Sequence, residues 1–139
     1  MDLPLYRPPG APDPLDDDAI RALVEDFYGR VRRDPVLGPI FEGVIGAEGW
    51  PEHFDRLTAF WSSVMRGTGR YKGAPMRAHM TIPGLEPALF ERWLFHFRAT
   101  ARDRFEPALA GAFVAKAERI AESLQYGLQF RPPPELLGR

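Results

Sequence analysis

Apolar side chains recur along this chain at helical rather than strand spacing. From Asp16 to Arg33 they fall at Ile20, Leu23, Val24, Phe27, Tyr28 and Val31, which is one face of a helix. Asp16 to Asp18 stand where they can cap its amino end and complement its dipole. Pro35 and the Gly38-Pro39 pair predict a break, and Val36, Leu37, Ile40 and Phe41 predict a short, tightly packed turn of helix at a corner. A second helix is predicted from Pro51, a residue suited to a first helical position, with His53, Leu57, Phe60, Trp61 and Val64 on one stripe before Gly67 and Gly69. Between Arg70 and Gly84 turn residues dominate, and the one short helical candidate is Pro75 to Met80. A third helix is predicted over about Glu86 to Phe105, with Phe90, Trp93, Leu94, Phe97 and Ala101 inward. A fourth, over about Pro107 to Phe130, turns Leu109, Phe113, Ile120, Leu124 and Leu128 inward until the Pro132 to Pro134 run stops it.

No segment sustains a period of two and no internal repeat is visible, so the expected class is all-α, with helices of uneven length around one core. The chain has 139 residues, enough for a single domain whose core can enclose a flat organic cofactor. Five prolines between Pro4 and Pro14 lock φ and remove donors, which predicts an extended arm over residues 1–15, the domain over 16–131 and a tail over 132–139.

The charge balance is even, 18 basic against 19 acidic side chains, and offers no footprint for nucleic acid or an anionic membrane. The chain has no cysteine, which excludes disulfides, thiolate nucleophiles, iron–sulfur clusters and thiolate-ligated haem. Any iron ligand must be nitrogen, oxygen or a methionine sulfur. The first residues lack the basic and apolar segments of an export signal, and no apolar run approaches the ~20 residues that span a bilayer, so the expected address is the cytoplasm.

Three histidines are available for chemistry. His79 sits in a weak helical element between Met76 and Met80, where packing alone would choose an aliphatic residue; it reads either as a ligand or as a surface or capping histidine. His53 lies on the apolar side of its helix and equally suits a histidine bonded to a backbone carbonyl. His96, beside Trp93 and Phe97, is expected to be structural or exposed. The hydroxyl of Tyr28 and the indole N–H of Trp93 both sit on inward faces, where each must find a partner or lose solvation of ~1–3 kcal/mol. They could converge on one polar object in an apolar space, or each could bond a carbonyl or water.

Four segments, taken in order, resemble the group III truncated haemoglobins. FYGRVRRDPVLGPIF, from Phe27 to Phe41, is similar to that family's first long helix and corner, with the pocket tyrosine at Tyr28 and the corner phenylalanine at Phe41. WPEHF, from Trp50 to Phe54, resembles the entrance to the distal helix and puts the distal histidine at His53. FWSSVMRGTGRYKGAPMRAHM resembles the stretch that runs to the proximal histidine, which falls on His79, and ERWLFHF carries the pocket tryptophan at Trp93. The resemblance covers roughly Leu23 to Phe130, and the absence of the paired-glycine motifs of the other truncated groups agrees with it.

The resemblance implies a shortened globin fold around haem b. It implies that His79 ligates the iron and that Tyr28, His53 and Trp93 offer polar contacts to O2, NO or CO held on the opposite face. Apolar walls are expected from Phe27, Phe41, Phe54, Leu57, Trp61, Met76 and Met80. Arg56, Arg70, Lys72 and Arg77 are the candidates for the haem propionates. Tight O2 retention suits nitric oxide dioxygenation with an unidentified reductase, or another redox reaction, while a polar distal pocket also suits a peroxidase-like reaction. The alternative of another kind is a haem-free all-α interaction module whose aromatic stripes are only core.

Overall fold

The computed structural model describes residues 15–73 and 86–129. Its helices in chain order are α1 (Asp17–Arg33), α2 (Leu37–Ile45), α3 (Trp50–Arg66), α4 (Pro87–Arg104) and α5 (Pro107–Gln129), with a 3-10 turn, Ala47–Gly49, ahead of α3. The fold is all-α, as the periodicity predicts; the described residues hold no strand.

α1 begins where Asp16, in extended backbone, accepts the Ala19 amide on its side chain at 2.9 Å. It ends at Asp34 because Pro35 pushes the residue before it out of the helical region, to ψ 128°. Its apolar stripe is fully buried, and α1 packs on α2, α3 and α4. Ion pairs from Asp26 to Arg30 and Arg104, and from Arg30 to Asp103, tie its polar face to α4.

α2 corrects the expected short turn: it runs for 9 residues. Pro39 does not break it because it occupies the third helical position, where a backbone N–H has no intrahelical acceptor to lose. The Asp34 carboxylate supplies the missing cap, accepting the amides of Val36 at 2.8 Å and Leu37 at 3.0 Å. The corner is also close-packed: a Cβ on Gly38 would stand 2.5 Å from the Arg32 carbonyl oxygen, so only glycine fits.

α3 starts one residue earlier than Pro51 and ends at Gly67, whose φ of +68° lets its amide close on the Ser63 carbonyl. α4 and α5 form an antiparallel-type pair joined through Phe105 and Glu106, the latter accepting the Leu109 amide at 2.8 Å. The core between these helices is aromatic. Phe27, Phe97 and Phe113 are almost completely buried, and Phe97 stacks on Trp61 and Trp93 at centroid distances of 5.1 and 5.7 Å. No described helix is long and apolar enough to cross a membrane.

The proline-rich arm, the Pro75 to Met80 helical candidate and the tail after Gln129 lie outside the described residues, as does the side chain of Leu128.

Candidate functional site

A cavity of about 400 Å³ opens among all five helices, a size in the range of cofactor pockets. Its wall is largely hydrocarbon. α2 contributes Leu37, Ile40, Phe41, Val44 and Ile45; α3 contributes Leu57, Phe60 and Trp61; α4 contributes Leu89 and Phe90; and α5 contributes Ile120, Ala121 and Leu124. Besides Glu52, Arg56 and Tyr71, three polar tips interrupt it: Tyr28 from α1, His53 from α3 and Trp93 from α4. They share the wall because each follows its helix stripe inward, and the stripes of α1, α3 and α4 meet there.

The three are in mutual contact or nearly so. Trp93 Nε1 donates to Tyr28 Oη at 3.5 Å, a long bond. The His53 ring stands edge-on to Tyr28 at 5.5 Å and to Trp50 at 5.5 Å. Trp50 is itself pinned, its indole N–H on Glu42 at 2.8 Å and its face under the Arg32 guanidinium at 4.5 Å. Burial pushes the Tyr28 phenol up to about 12 against the small opposing effect of the Trp93 bond. The phenol is therefore neutral over the physiological range and keeps a proton to donate.

The residues present fit a flat, largely apolar cofactor with a polar ligand on one face. The cavity is hydrocarbon over most of its surface, its charged groups Glu52 and Arg56 pair with each other, and inside it the neutral Tyr28 phenol and the Trp93 indole carry hydrogen-bond donors.

A profile of the bacterial-like globins matches residues 16–125. The group 3 truncated hemoglobin of Campylobacter jejuni is 33% identical over 113 residues, covering 80% of this chain and 89% of that protein. The crystal structure of the group III truncated hemoglobin from Campylobacter jejuni superposes with a TM-score of 0.79 at 32% identity, covering 84% of this chain and 93% of that one. This chain is a group III truncated haemoglobin.

Membership makes the truncated haemoglobin a haem-binding protein of a family whose ligands are small diatomic gases. Tyr28, Phe41, His53, Leu57, Trp61, Trp93 and Arg56 line its cavity. Phe27 and Phe54, expected as wall residues, do not. Phe27 lies behind the wall, its ring 4.6 Å from Tyr28 and 5.3 Å from Trp93, because one residue along α1 turns the side chain by ~100° into the core. Phe54 leaves the cavity for the same reason, packing on Trp50 at 5.6 Å and beneath Arg21 at 5.7 Å.

Of the cationic candidates among the described residues, only Arg56 reaches the rim, where it pairs with Glu52 at 3.3 Å. Arg70 is drawn off to Asp17 at the start of α1, since the end of α3 packs there, and Lys72 is exposed away from the cavity. His79, Met76, Met80 and Arg77 lie outside the described residues.

Sequence reasoning missed Tyr71 in the wall of this truncated haemoglobin. It is half-buried, edge-on to Phe60 at 5.2 Å, and fixed by its amide donating to Ser63 Oγ at 2.8 Å. A lone tyrosine in a turn-rich stretch carries no periodicity, so only the Ser63 bond locates it. Ile120 and Leu124 were legible as an inward i, i+4 pair, but an apolar face lining a cavity and one filling a core have the same pattern. Asp34 also had no signal in the pattern, although it organises the corner.

Proposed function

We propose that this truncated haemoglobin holds haem b in the cavity, with His79 as the residue that would bind its iron, and retains O2 for reaction with NO. The observation that carries this reading is the Trp93–Tyr28 pair on the wall of an otherwise apolar cavity in a chain with the globin fold. When bound, the haem would supply a reversible coordination site for a diatomic gas and, with O2 held, the oxidising equivalents for converting NO to nitrate. A reductase in the same compartment, expected to be the cytoplasm, restores the electron lost in each turnover.

The chain's own groups do the selecting. The Tyr28 hydroxyl accepts from Trp93 and still has its hydrogen to donate, so it offers a neutral donor to a ligand that carries partial negative charge. Such a contact contributes about 1–2 kcal/mol to ligand retention, roughly a tenfold slower release. His53, edge-on to Tyr28, narrows the polar end of the cavity. Phe41, Leu57 and Trp61 exclude water, which protects a bound ligand from protonation and loss. Arg56 at the rim is placed for a propionate.

An absorption spectrum of the purified protein tests the reading: ferric, dithionite-reduced, and reduced with carbon monoxide. A Soret band that shifts at each step is expected. A colourless protein that takes up no added haemin overturns it. Stopped-flow mixing of the oxygenated protein with NO is then expected to give stoichiometric nitrate, and release of O2 without nitrate removes the NO reaction.

A further inference from the structure

We infer that Asp34 is a positioning residue of the ligand site: one buried carboxylate registers α4 against the α1–α2 corner and so sets how closely the Trp93 indole approaches Tyr28. The inference rests on the proposed role of Tyr28 and Trp93 as ligand donors, and it concerns a residue that touches neither the cavity nor the ligand.

The Asp34 side chain is 4% exposed, and every bond it accepts comes from an element that carries a wall residue. Its Oδ1 takes the amides of Val36 and Leu37 at the head of α2, and Leu37 lines the cavity. Arg92 Nε lies 2.7 Å from Oδ1 and 2.8 Å from Oδ2, and His96 Nε2 lies 2.7 Å from Oδ2. Arg92 and His96 bracket Trp93 on α4, at the position before it and three positions after. Asp34 itself ends α1, six residues beyond Tyr28, and its carbonyl accepts the Gly38 amide at 2.8 Å. One side chain thus joins the three helices that present Tyr28, Leu37 and Trp93.

A buried carboxylate with two cationic or polar partners is a poor stabiliser compared with hydrocarbon of the same volume, because desolvation offsets most of the attraction. What it supplies is direction. Apolar contact lets α4 slide or rotate by a few tenths of an ångström at little cost, whereas bonds of 2.7–2.8 Å from both sides of Trp93 do not. The contact they govern needs that accuracy. At 3.5 Å the Trp93–Tyr28 bond stands at the long limit, so a small rotation of α4 decides whether the indole proton reaches the phenol oxygen.

The test uses the haem-loaded full chain. Asp34→Asn keeps the size and one acceptor oxygen but turns an NH2 group toward the Arg92 and His96 donors. Arg92→Gln is a milder variant that cuts one tether on a partly exposed side chain and keeps the test available if Asp34→Asn does not fold. The readouts are the infrared stretching frequency of bound carbon monoxide and the O2 dissociation rate. Each variant is expected to move the frequency in the same direction as Trp93→Phe and to change dissociation by about threefold or more. In a Trp93→Phe background neither variant is expected to move them further.

Leu15→Ala, which removes a buried side chain ahead of α1 and away from the cavity, is expected to lower the melting temperature without moving the frequency. The inference is overturned if Asp34→Asn and Arg92→Gln leave the frequency at the wild-type value, if their effects persist without Trp93, or if Leu15→Ala matches them. If Trp93→Phe and Tyr28→Phe are themselves silent, the proposed ligand site fails, and the inference fails with it.

Discussion

The indole N–H of Trp93 is aimed at the hydroxyl oxygen of Tyr28, 3.5 Å away, so these two polar tips stand in series rather than side by side. An indole has one hydrogen to donate and a phenol can accept while donating its own. Under the proposed function, that order makes Tyr28 the group that faces a ligand and Trp93 the group that orients and polarises it.

Substitutions should reproduce that order. Tyr28→Phe is expected to speed O2 dissociation by about tenfold or more, from loss of ~1–2 kcal/mol, with the fold intact. Trp93→Phe is expected to speed it by a smaller factor, and the double variant to behave like Tyr28→Phe alone rather than as the product. Stopped-flow displacement of O2 by carbon monoxide checks this, and a larger effect from Trp93 would reverse the order.

Alkaline titration gives an independent view of the phenol. Burial raises Tyr28 from 10.0 to about 12, so the folded protein holds the proton more tightly than the unfolded chain. Its contribution to stability is fully present below pH ~10 and is lost as pH rises through the folded value. Thermal melts between pH 9 and 12 are therefore expected to show a steeper fall in the wild type than in Tyr28→Phe. Parallel curves would mean the phenol is not buried as described.

Asp34 titrates in the opposite sense. Burial pushes its carboxyl up, but the bonds from His96, the Leu37 amide, Arg92 and the Val36 amide outweigh it and hold the group well below the usual carboxylate range. A depressed pKa stabilises the fold above the unfolded value of about 3.9 and ceases to do so as pH falls through the folded value. Asp34→Asn is expected to cost about 3 kcal/mol at neutral pH, measured by urea unfolding, with the gap to wild type narrowing below pH ~4. A gap that is constant down to pH 2 would show that the charge contributes nothing.

The glycine at the corner is held by space rather than by φ. A Cβ at position 38 would meet the Arg32 backbone at 2.5 Å, and backbone cannot rotate away as a side-chain tip can. Gly38→Ala is expected to destabilise by about 1–3 kcal/mol, read from the urea midpoint, and to loosen haem retention because α2 supplies five wall residues.

His79→Ala is expected to abolish stable haem binding while leaving far-ultraviolet circular dichroism helical. A variant that keeps the wild-type Soret band through gel filtration would move the axial role to another residue.

Much of this molecule could be read before any coordinates. The stripe from Ile20 to Val31 specified α1, the caps at Asp16 and Gly67 specified two of its helix ends, and the order of Tyr28, His53 and Trp93 carried the family. The length of α2 was not legible, because Pro39 is tolerated only at its place in the first turn, which the Asp34 cap decides. Phe27 and Phe54 cannot be told from wall residues by pattern, because a stripe covers an arc of the helix, and one arc can face both a cavity and a core.

The sequence by itself determined the helical class, the inward faces and the membership of the globin family, because a repeat of 3.6 residues and a set of spacings are properties of neighbours along the chain. Only the tertiary structure decided which inward residues share one cavity, that Trp93 reaches Tyr28 from 65 positions away, and that Asp34 braces α4 from 58 positions before Arg92. Those relationships depend on the distance and rotation between packed helices, which close packing of their side chains sets and no local pattern encodes.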